Sequence, residues 1–264
     1  MDFYLDLPFI VFPLAGVILG LIIGSFLATL AVRWPKGQSV MTGRSECDQC
    51  GQRLGPIELL PVISHIWQNG KCRKCGEPID RQHLAIEIAA GLIGGLALFV
   101  APNGTGMAGA FFGWVLLTLA IIDAEHQWLP DRLTALLAAT GLFSALFLEE
   151  PTIVDRLIGG LIGYFSLLLV AVIYRTVRGR EGLGGGDPKM LGGIGLWLGW
   201  QYLPFILLGA SIIGLMFALI LKIRNQPVGL ESHFPFGSLM AIAAFPVWLV
   251  HSAGLNMIGS FITP

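Results

Sequence analysis

The sequence predicts an all-α polytopic membrane protein, and its composition and the arrangement of its apolar residues carry that prediction. Hydrophobic residues make up 55% of the 264 residues and charged residues only 12%, with a mean hydropathy of +0.75. A soluble domain has about a quarter charged residues, so half of the expected polar surface is absent. The apolar residues also fall in runs of the length that crosses a bilayer, roughly 17 to 25 residues.

Eight apolar runs account for most of the chain. The run at 188–202 is short and rich in glycine, and the last run is interrupted by Pro246. We expect about eight transmembrane helices, near 9–32, 83–101, 107–123, 132–148, 157–174, 188–202, 204–222 and 235–262.

Basic residues set the expected orientation, because cytoplasmic connections carry the excess of lysine and arginine. Fifteen of the sixteen lysines and arginines fall on one set of alternating connections, and only Arg156 falls on the other. The polar segment 34–82 belongs to the basic set, so we expect it in the cytoplasm and both termini in the periplasm. The net charge of -1 gives no support to a nucleic-acid partner.

Four cysteines lie in the polar segment as two pairs, Cys47-x-x-Cys50 and Cys72-x-x-Cys75, and a glycine follows each pair. Four thiolates at about 2.3 Å make the closed tetrahedral site that is typical of structural zinc. Disulfides are disfavoured in the cytoplasm. The spacing therefore favours zinc, with redox dithiols or unconnected thiols as the alternative.

Two aspartates stand at span ends rather than within loops. Asp123 follows an apolar run directly, and Asp187 follows Gly184-Gly185-Gly186. Counting crossings places both at cytoplasmic ends. Two adjacent carboxyl groups share one proton, which suits them to hydrolysis of a peptide by general acid and base catalysis. The alternative is that each aspartate only caps a helix, as Asp187-Pro188 would suit.

The expected helix directions distinguish the two aspartates. Asp123 would lie at a helix C-terminus, which disfavours negative charge, and Asp187 at a helix N-terminus, which favours it. On this argument we expect Asp187 to be the base and Asp123 the acid.

The order of several short motifs resembles that of the type IV prepilin peptidases, a family of bifunctional leader peptidases and N-methyltransferases with a Gly-x-Gly-Asp motif. The similarity covers nearly the whole chain. It rests on Gly24-Ser25-Phe26-Leu27, Arg33 and Pro35, Arg44-Ser45, Pro61-Val62 and Ser64, Glu87, Ile122-Asp123, Leu129-Pro130-Asp131, Gly184 to Asp187 with Lys189, and Pro235-Phe236-Gly237.

The resemblance implies a bacterial inner-membrane enzyme of type IV pili or type II secretion. Asp123 and Asp187 would be its catalytic residues, acting on prepilins or pseudopilins whose basic leader ends in glycine. The peptidase core would be seven helices over 83–264, after a first helix over 1–33 and a zinc-binding segment over 34–82.

The resemblance also implies methyl transfer from S-adenosylmethionine to the new N-terminal amine, in a region near 1–90. Glu87 is a candidate for contact with the cofactor or the amine, with an ion pair to Arg81 as the alternative. This chain has Ala28-Thr29 where the family usually has asparagine and valine, and His83-Leu84-Ala85-Ile86 before Glu87 where tyrosine, proline, leucine and valine are usual.

Two other classes of membrane protein remain as alternatives. A transporter would more often place its acids near mid-membrane and show repeated halves, and neither feature is visible. An assembly scaffold would use the cysteine segment for docking, and its aspartates would tolerate replacement by asparagine.

Overall fold

The computed structural model describes residues 7–38, 49–53, 55, 57–180, 182–224 and 235–254. Within these ranges the regular secondary structure is helical, as the sequence predicts, and contains no strand. Cys47 and the Arg44-Ser45 pair lie outside the described residues. The helices are α1 (Leu7–Arg33), α2 (Ile63–Trp67), α3 (Arg81–Val100), α4 (Gly104–His126), α5 (Asp131–Ser144), α6 (Ile153–Arg178), α7 (Asp187–Leu198), a 3-10 turn (Trp200–Tyr202), α8 (Leu203–Ile223) and α9 (Phe236–Ser252).

Each of the eight predicted spans contains a helix, but fewer are long enough to cross a bilayer. Helices α5 and α7 have 14 and 12 residues, or roughly 21 and 18 Å, against a hydrocarbon core of about 30 Å. Helix α9 is apolar but has only 17 residues. Among the described residues five segments are long and apolar enough: Ile10–Arg33, Arg81–Val100, Gly104–His126, Ile153–Arg178 and Trp200–Ile223.

The chain forms two compact units, Met1–Thr118 and Leu119–Pro264. In the first unit, α1 packs on α3 through Gly16, Gly20 and Gly24, which are spaced four residues apart. A Cβ atom at Gly16 would lie 2.3 Å from the Gly94 carbonyl oxygen, and one at Gly20 would lie 2.2 Å from the Ala90 carbonyl oxygen. The two backbones are therefore in direct contact, as stripes of small residues permit in membrane helices.

The second unit is built around α7, most of whose residues are buried. Helix α6 approaches it through glycines, since a Cβ at Gly195 would lie 2.2 Å from the Gly159 carbonyl oxygen. On another side of α7 the Trp197 indole donates to the Leu137 carbonyl of α5 at 2.9 Å. Helix α7 is thus an internal helix of this unit, and α5 and α6 pack against two of its sides.

Arg156, the basic residue that does not follow the charge pattern, is fully buried in the second unit. Its guanidinium donates to the Gly141 carbonyl at 3.0 Å, to the Leu196 carbonyl at 3.1 Å and to the Ser144 hydroxyl at 2.9 Å. These acceptors lie near the C-terminal ends of α5 and α7, where a positive charge is favoured. Arg156 therefore links α5 and α7 through hydrogen bonds. This structural role explains a basic residue on the side that the charge pattern assigns to the periplasm.

Replacing Arg156 by methionine is expected to lower the thermal stability of the protein in detergent. The change leaves several buried carbonyl groups without a donor, at a cost on the order of 3 kcal/mol. Intrinsic fluorescence during heating measures the shift. The control is Arg178→Met in the same helix, because Arg178 is exposed; equal melting temperatures for the two variants would contradict the linking role.

Candidate active site

Asp123 lies in the last turn of α4 and is buried, with 6% of its surface exposed. Its Oδ2 accepts a hydrogen bond from the Ser238 backbone N–H at 2.7 Å. The Ser238 hydroxyl oxygen lies 3.1 Å from the same carboxylate oxygen. Ser238 is the third residue of α9, so the carboxyl group of Asp123 caps the N-terminus of another helix.

Asp187 is the first residue of α7 and is as buried as Asp123. Its Oδ2 accepts the Gly184 N–H at 3.0 Å, and its own N–H donates to the Gly184 carbonyl at 3.2 Å. The glycine segment thus folds back on the aspartate and fixes its side chain at the start of the helix.

Leu129, in the connection between α4 and α5, lies against both aspartate-bearing regions. A Cβ at Gly186 would be 2.6 Å from the Leu129 Cβ. A Cβ at Gly237 would be 2.9 Å from the Leu129 Cδ1 and 3.0 Å from the Asp123 Oδ2. Only glycine fits this close packing at 186 and 237, so the start of α7 and the start of α9 meet the end of α4 around one leucine.

The two carboxyl groups are close enough to interact electrostatically. Burial and, secondly, the negative charge of Asp123 raise the pKa of Asp187 to about 7, although the Gly184 N–H opposes the shift. Asp187 opens a helix that is too short to be one of the five span-length segments. Near neutral pH Asp187 therefore keeps a proton in part of the population, which a general acid requires.

The expectation that Asp187 is the base rested on the dipole of each aspartate's own helix. The structure adds the N-terminus of α9 directly at Asp123. Since both carboxyl groups now face a helix N-terminus, the dipole argument no longer separates them. Asp123 also receives the shorter hydrogen bond, 2.7 Å against 3.0 Å for Asp187.

Polar residues that flank the aspartates contact each other. Lys189 Nζ lies 2.5 Å from Asp131 Oδ1 in an exposed ion pair. Glu125 lies 3.8 Å from His126. Lys189 is therefore bound to Asp131, and the carboxylate of Asp131 already has a positive partner.

Three of the four candidate metal ligands meet in the first unit. The Sγ atoms of Cys50, Cys72 and Cys75 lie within 4.8 Å of one another, and those of Cys50 and Cys72 are 4.0 Å apart. Sulfurs 2.3 Å from a tetrahedral zinc are separated by about 3.8 Å. Gly51 and Gly76 have φ of 65° and 75°, a left-handed conformation that suits glycine and turns the chain after each cysteine pair. The described thiols therefore fit a tetrahedral thiolate site, with Cys47 outside the described residues.

Glu87 is buried on α3, and its Oε2 accepts the Val62 N–H at 2.8 Å. Val62 has a φ of 61° and precedes α2, which is a strained conformation for a β-branched residue. The described contact of Glu87 is thus to the backbone of the polar segment, and it supports that turn. This contact gives no evidence that Glu87 binds a cofactor, and it differs from the ion pair with Arg81 that was the alternative.

Two family models match the chain. The bacterial peptidase A24 N-terminal domain matches residues 18–101, and the type IV leader peptidase family matches residues 110–219. A prepilin leader peptidase/N-methyltransferase of Dichelobacter nodosus is 38% identical over 84% of this chain and 77% of its own length. This chain belongs to the type IV leader peptidase family.

Other relatives agree with this membership. Proteins of the same name from Pseudomonas aeruginosa and Aeromonas hydrophila are 33% and 34% identical, over 93% and 78% of this chain and 92% and 71% of their own lengths. No solved structure shows significant similarity to the chain. The chain is therefore a membrane peptidase by family, and both aspartates of the candidate site lie within the matched region.

Ser238 is the residue of this leader-peptidase site that the sequence analysis missed. It follows Pro235-Phe236-Gly237, which entered only as part of the resemblance. The one feature of the sequence that could have indicated a role for Ser238 is its place in the first turn of a helix that starts at the expected cytoplasmic face. Nothing in the sequence indicates its contact with Asp123, because 115 positions separate them.

Replacing Asp187 by asparagine is expected to stabilise the protein at pH 8. The raised pKa means that the folded state loses stability as the pH rises from about 4 to about 7, and an uncharged amide avoids this loss. We expect a gain on the order of 3 °C or more in melting temperature at pH 8 that disappears towards pH 4. Glu149→Gln, at an exposed position, is the control. A gain in melting temperature that did not change with pH would contradict the raised pKa of Asp187.

Proposed function

We propose that this chain removes the leader peptide from prepilins or pseudopilins at the cytoplasmic face of the bacterial inner membrane, using Asp123 and Asp187 as a catalytic pair. The observation that carries the proposal is the burial of these two carboxyl groups around Leu129. Relatives that share a third or more of the sequence are named prepilin leader peptidase/N-methyltransferase, which supports the substrate class.

The proposed reaction is hydrolysis by one water molecule. The ionised carboxyl group takes a proton from water as the water oxygen attacks the scissile carbonyl carbon. The protonated carboxyl group donates its proton to the carbonyl oxygen, which gives a neutral tetrahedral intermediate. That intermediate collapses with breakage of the C–N bond. The proton taken from water passes to the leaving amine, and one hydroxyl group of the intermediate returns a proton to the carboxylate that served as the acid.

The substrate has a short basic leader that ends in glycine, followed by phenylalanine and an apolar helix. Such a segment would lie across the bilayer with its basic leader in the cytoplasm. The scissile bond would then be near the inner boundary of the membrane. The charge pattern of the present chain supports this side for the aspartates, and it supports periplasmic termini.

Methylation of the new N-terminal amine is the second proposed activity, with S-adenosylmethionine as the methyl donor. The relatives are named as N-methyltransferases as well as peptidases, and the matched N-terminal domain covers residues 18–101. Glu87 would act in this region by holding the backbone of Val62 in place.

We propose that the polar segment binds one zinc ion through Cys50, Cys72 and Cys75 together with Cys47. The bound ion would cross-link the turns of a segment whose described residues are mostly exposed or half-buried. A closed site of four sulfurs has no open position for substrate. The metal is therefore expected to contribute stability to the segment.

Replacing either aspartate by asparagine tests the peptidase proposal. Protein purified in detergent is incubated with a model prepilin, and mass spectrometry reports loss of the leader and gain of one methyl group. Asp123→Asn and Asp187→Asn are each expected to lower cleavage by at least about 10⁴-fold, because each removes one of the two proton-transfer groups.

Asp131→Asn is the matched control, since Asp131 is an exposed carboxyl group paired with Lys189. It is expected to keep leader removal. Retention of cleavage by either of the other two variants, with a melting temperature no lower than that of the unchanged protein, would rule out the catalytic pair.

Metal analysis of the purified protein tests the zinc proposal. We expect about one zinc per chain, and Cys72→Ser is expected to reduce the metal content strongly because a buried ligand is lost. His65→Ala is the control, because His65 lies in the same segment beside Gly70 and is not among the clustered ligands. Unchanged zinc in the Cys72 variant would contradict the ligand set.

A further inference from the structure

We propose that Ser238 is a positioning residue that holds the carboxyl group of Asp123 in both of its protonation states during the reaction. The inference rests on the proposed peptidase function of Asp123 and Asp187. It assigns a role to the start of α9 that goes beyond the two aspartates.

The backbone of Ser238 supplies a fixed donor. Its N–H is 2.7 Å from Asp123 Oδ2, and as the third residue of α9 it has no partner within its own helix. The preceding Gly237 lies so close that an added Cβ would be 3.0 Å from the same oxygen. The carboxyl group is therefore held against the first turn of α9, where helix geometry sets the direction of the donor.

The hydroxyl of Ser238 supplies a partner that can reverse its role. Its oxygen is 2.7 Å from the Ala120 carbonyl and 3.1 Å from Asp123 Oδ2. A hydroxyl group has one proton and two acceptor lone pairs, so it donates to one of these neighbours at a time. When Asp123 is ionised the hydroxyl can donate to it. When Asp123 is protonated the hydroxyl can donate to Ala120 and accept the proton of Asp123.

This pair of contacts suits the member of the dyad that receives the proton of water. The fixed N–H and the α9 N-terminus favour the ionised form of Asp123 before attack. Burial and the charge of Asp123 raise the pKa of Asp187 to about 7, so Asp187 retains the shared proton. The geometry therefore points to Asp123 as the base and Asp187 as the acid.

Among the residues that the structure describes, the charged neighbours have other contacts. Asp187 on α7 is the titratable group whose electrostatic coupling to Asp123 is resolved. Lys189 of α7 is held by Asp131 of α5. Glu125 and His126, further along α4, lie beside each other.

The experiment compares the pH dependence of prepilin cleavage by the intact protein and by Ser238→Ala. The variant keeps the backbone N–H and loses the hydroxyl group. We expect kcat to fall about tenfold with KM little changed, since the contact is to a reacting carboxyl group and not to substrate. We expect the acidic limb of the kcat/KM profile to move up by about half to one pH unit, because the ionised form loses a donor.

Ser211→Ala is the matched control. The Ser211 hydroxyl donates to the Leu207 carbonyl of its own helix α8, so its loss should leave kcat and the profile unchanged. Ser238→Thr retains both donors and is expected to keep the acidic limb at its original pH, whatever its maximal rate.

Two results would overturn the role of Ser238. One is a Ser238→Ala enzyme with an unchanged profile, whether or not its rate is lower. The other is a displaced limb in Ser238→Thr. These results are distinct from failure of the proposed function, which would appear as cleavage retained by Asp123→Asn or Asp187→Asn.

Discussion

Two carboxyl groups buried within reach of each other's charge can hold one negative charge at moderate cost, and the second group must keep a proton. Asp123 and Asp187 are both more than nine-tenths buried. Burial and, secondly, the charge of Asp123 raise the pKa of Asp187 to about 7. A solvated pair would ionise fully at neutral pH and lose the acid. The proposed chemistry of this chain therefore depends on keeping both side chains out of water.

Three helix ends provide that environment in the second unit. Helix α4 carries Asp123 in its last turn, α7 starts at Asp187, and α9 starts two residues before Ser238. Glycines at 186 and 237 allow the ends to meet at Leu129 without side chains of their own. Near the other end of α7, Arg156 binds carbonyl groups of α5 and α7. The short helix that carries Asp187 is thus restrained at both ends, which fixes the position of the aspartate.

Much of this arrangement follows from local sequence patterns. Apolar runs predict the helices, and the cysteine spacing predicts the cluster of three described thiols. The expected count of about eight spans is not confirmed, because among the described residues α5 and α7 are apolar yet shorter than the hydrocarbon core. Ser238 could not be predicted, since its role arises from a contact between residues 115 positions apart. The same holds for Arg156, whose acceptors on α7 are 40 or more positions away.

The separation of the two carboxyl groups is the most direct test of this account. It can be measured by cryo-electron microscopy of the protein in lipid nanodiscs, with a prepilin peptide whose scissile bond resists hydrolysis. The account predicts that Asp123 and Asp187 each lie about 3 Å from one water oxygen or from the atoms of the scissile amide. Carboxyl groups further apart than one water can bridge, while the peptide is bound, would contradict it.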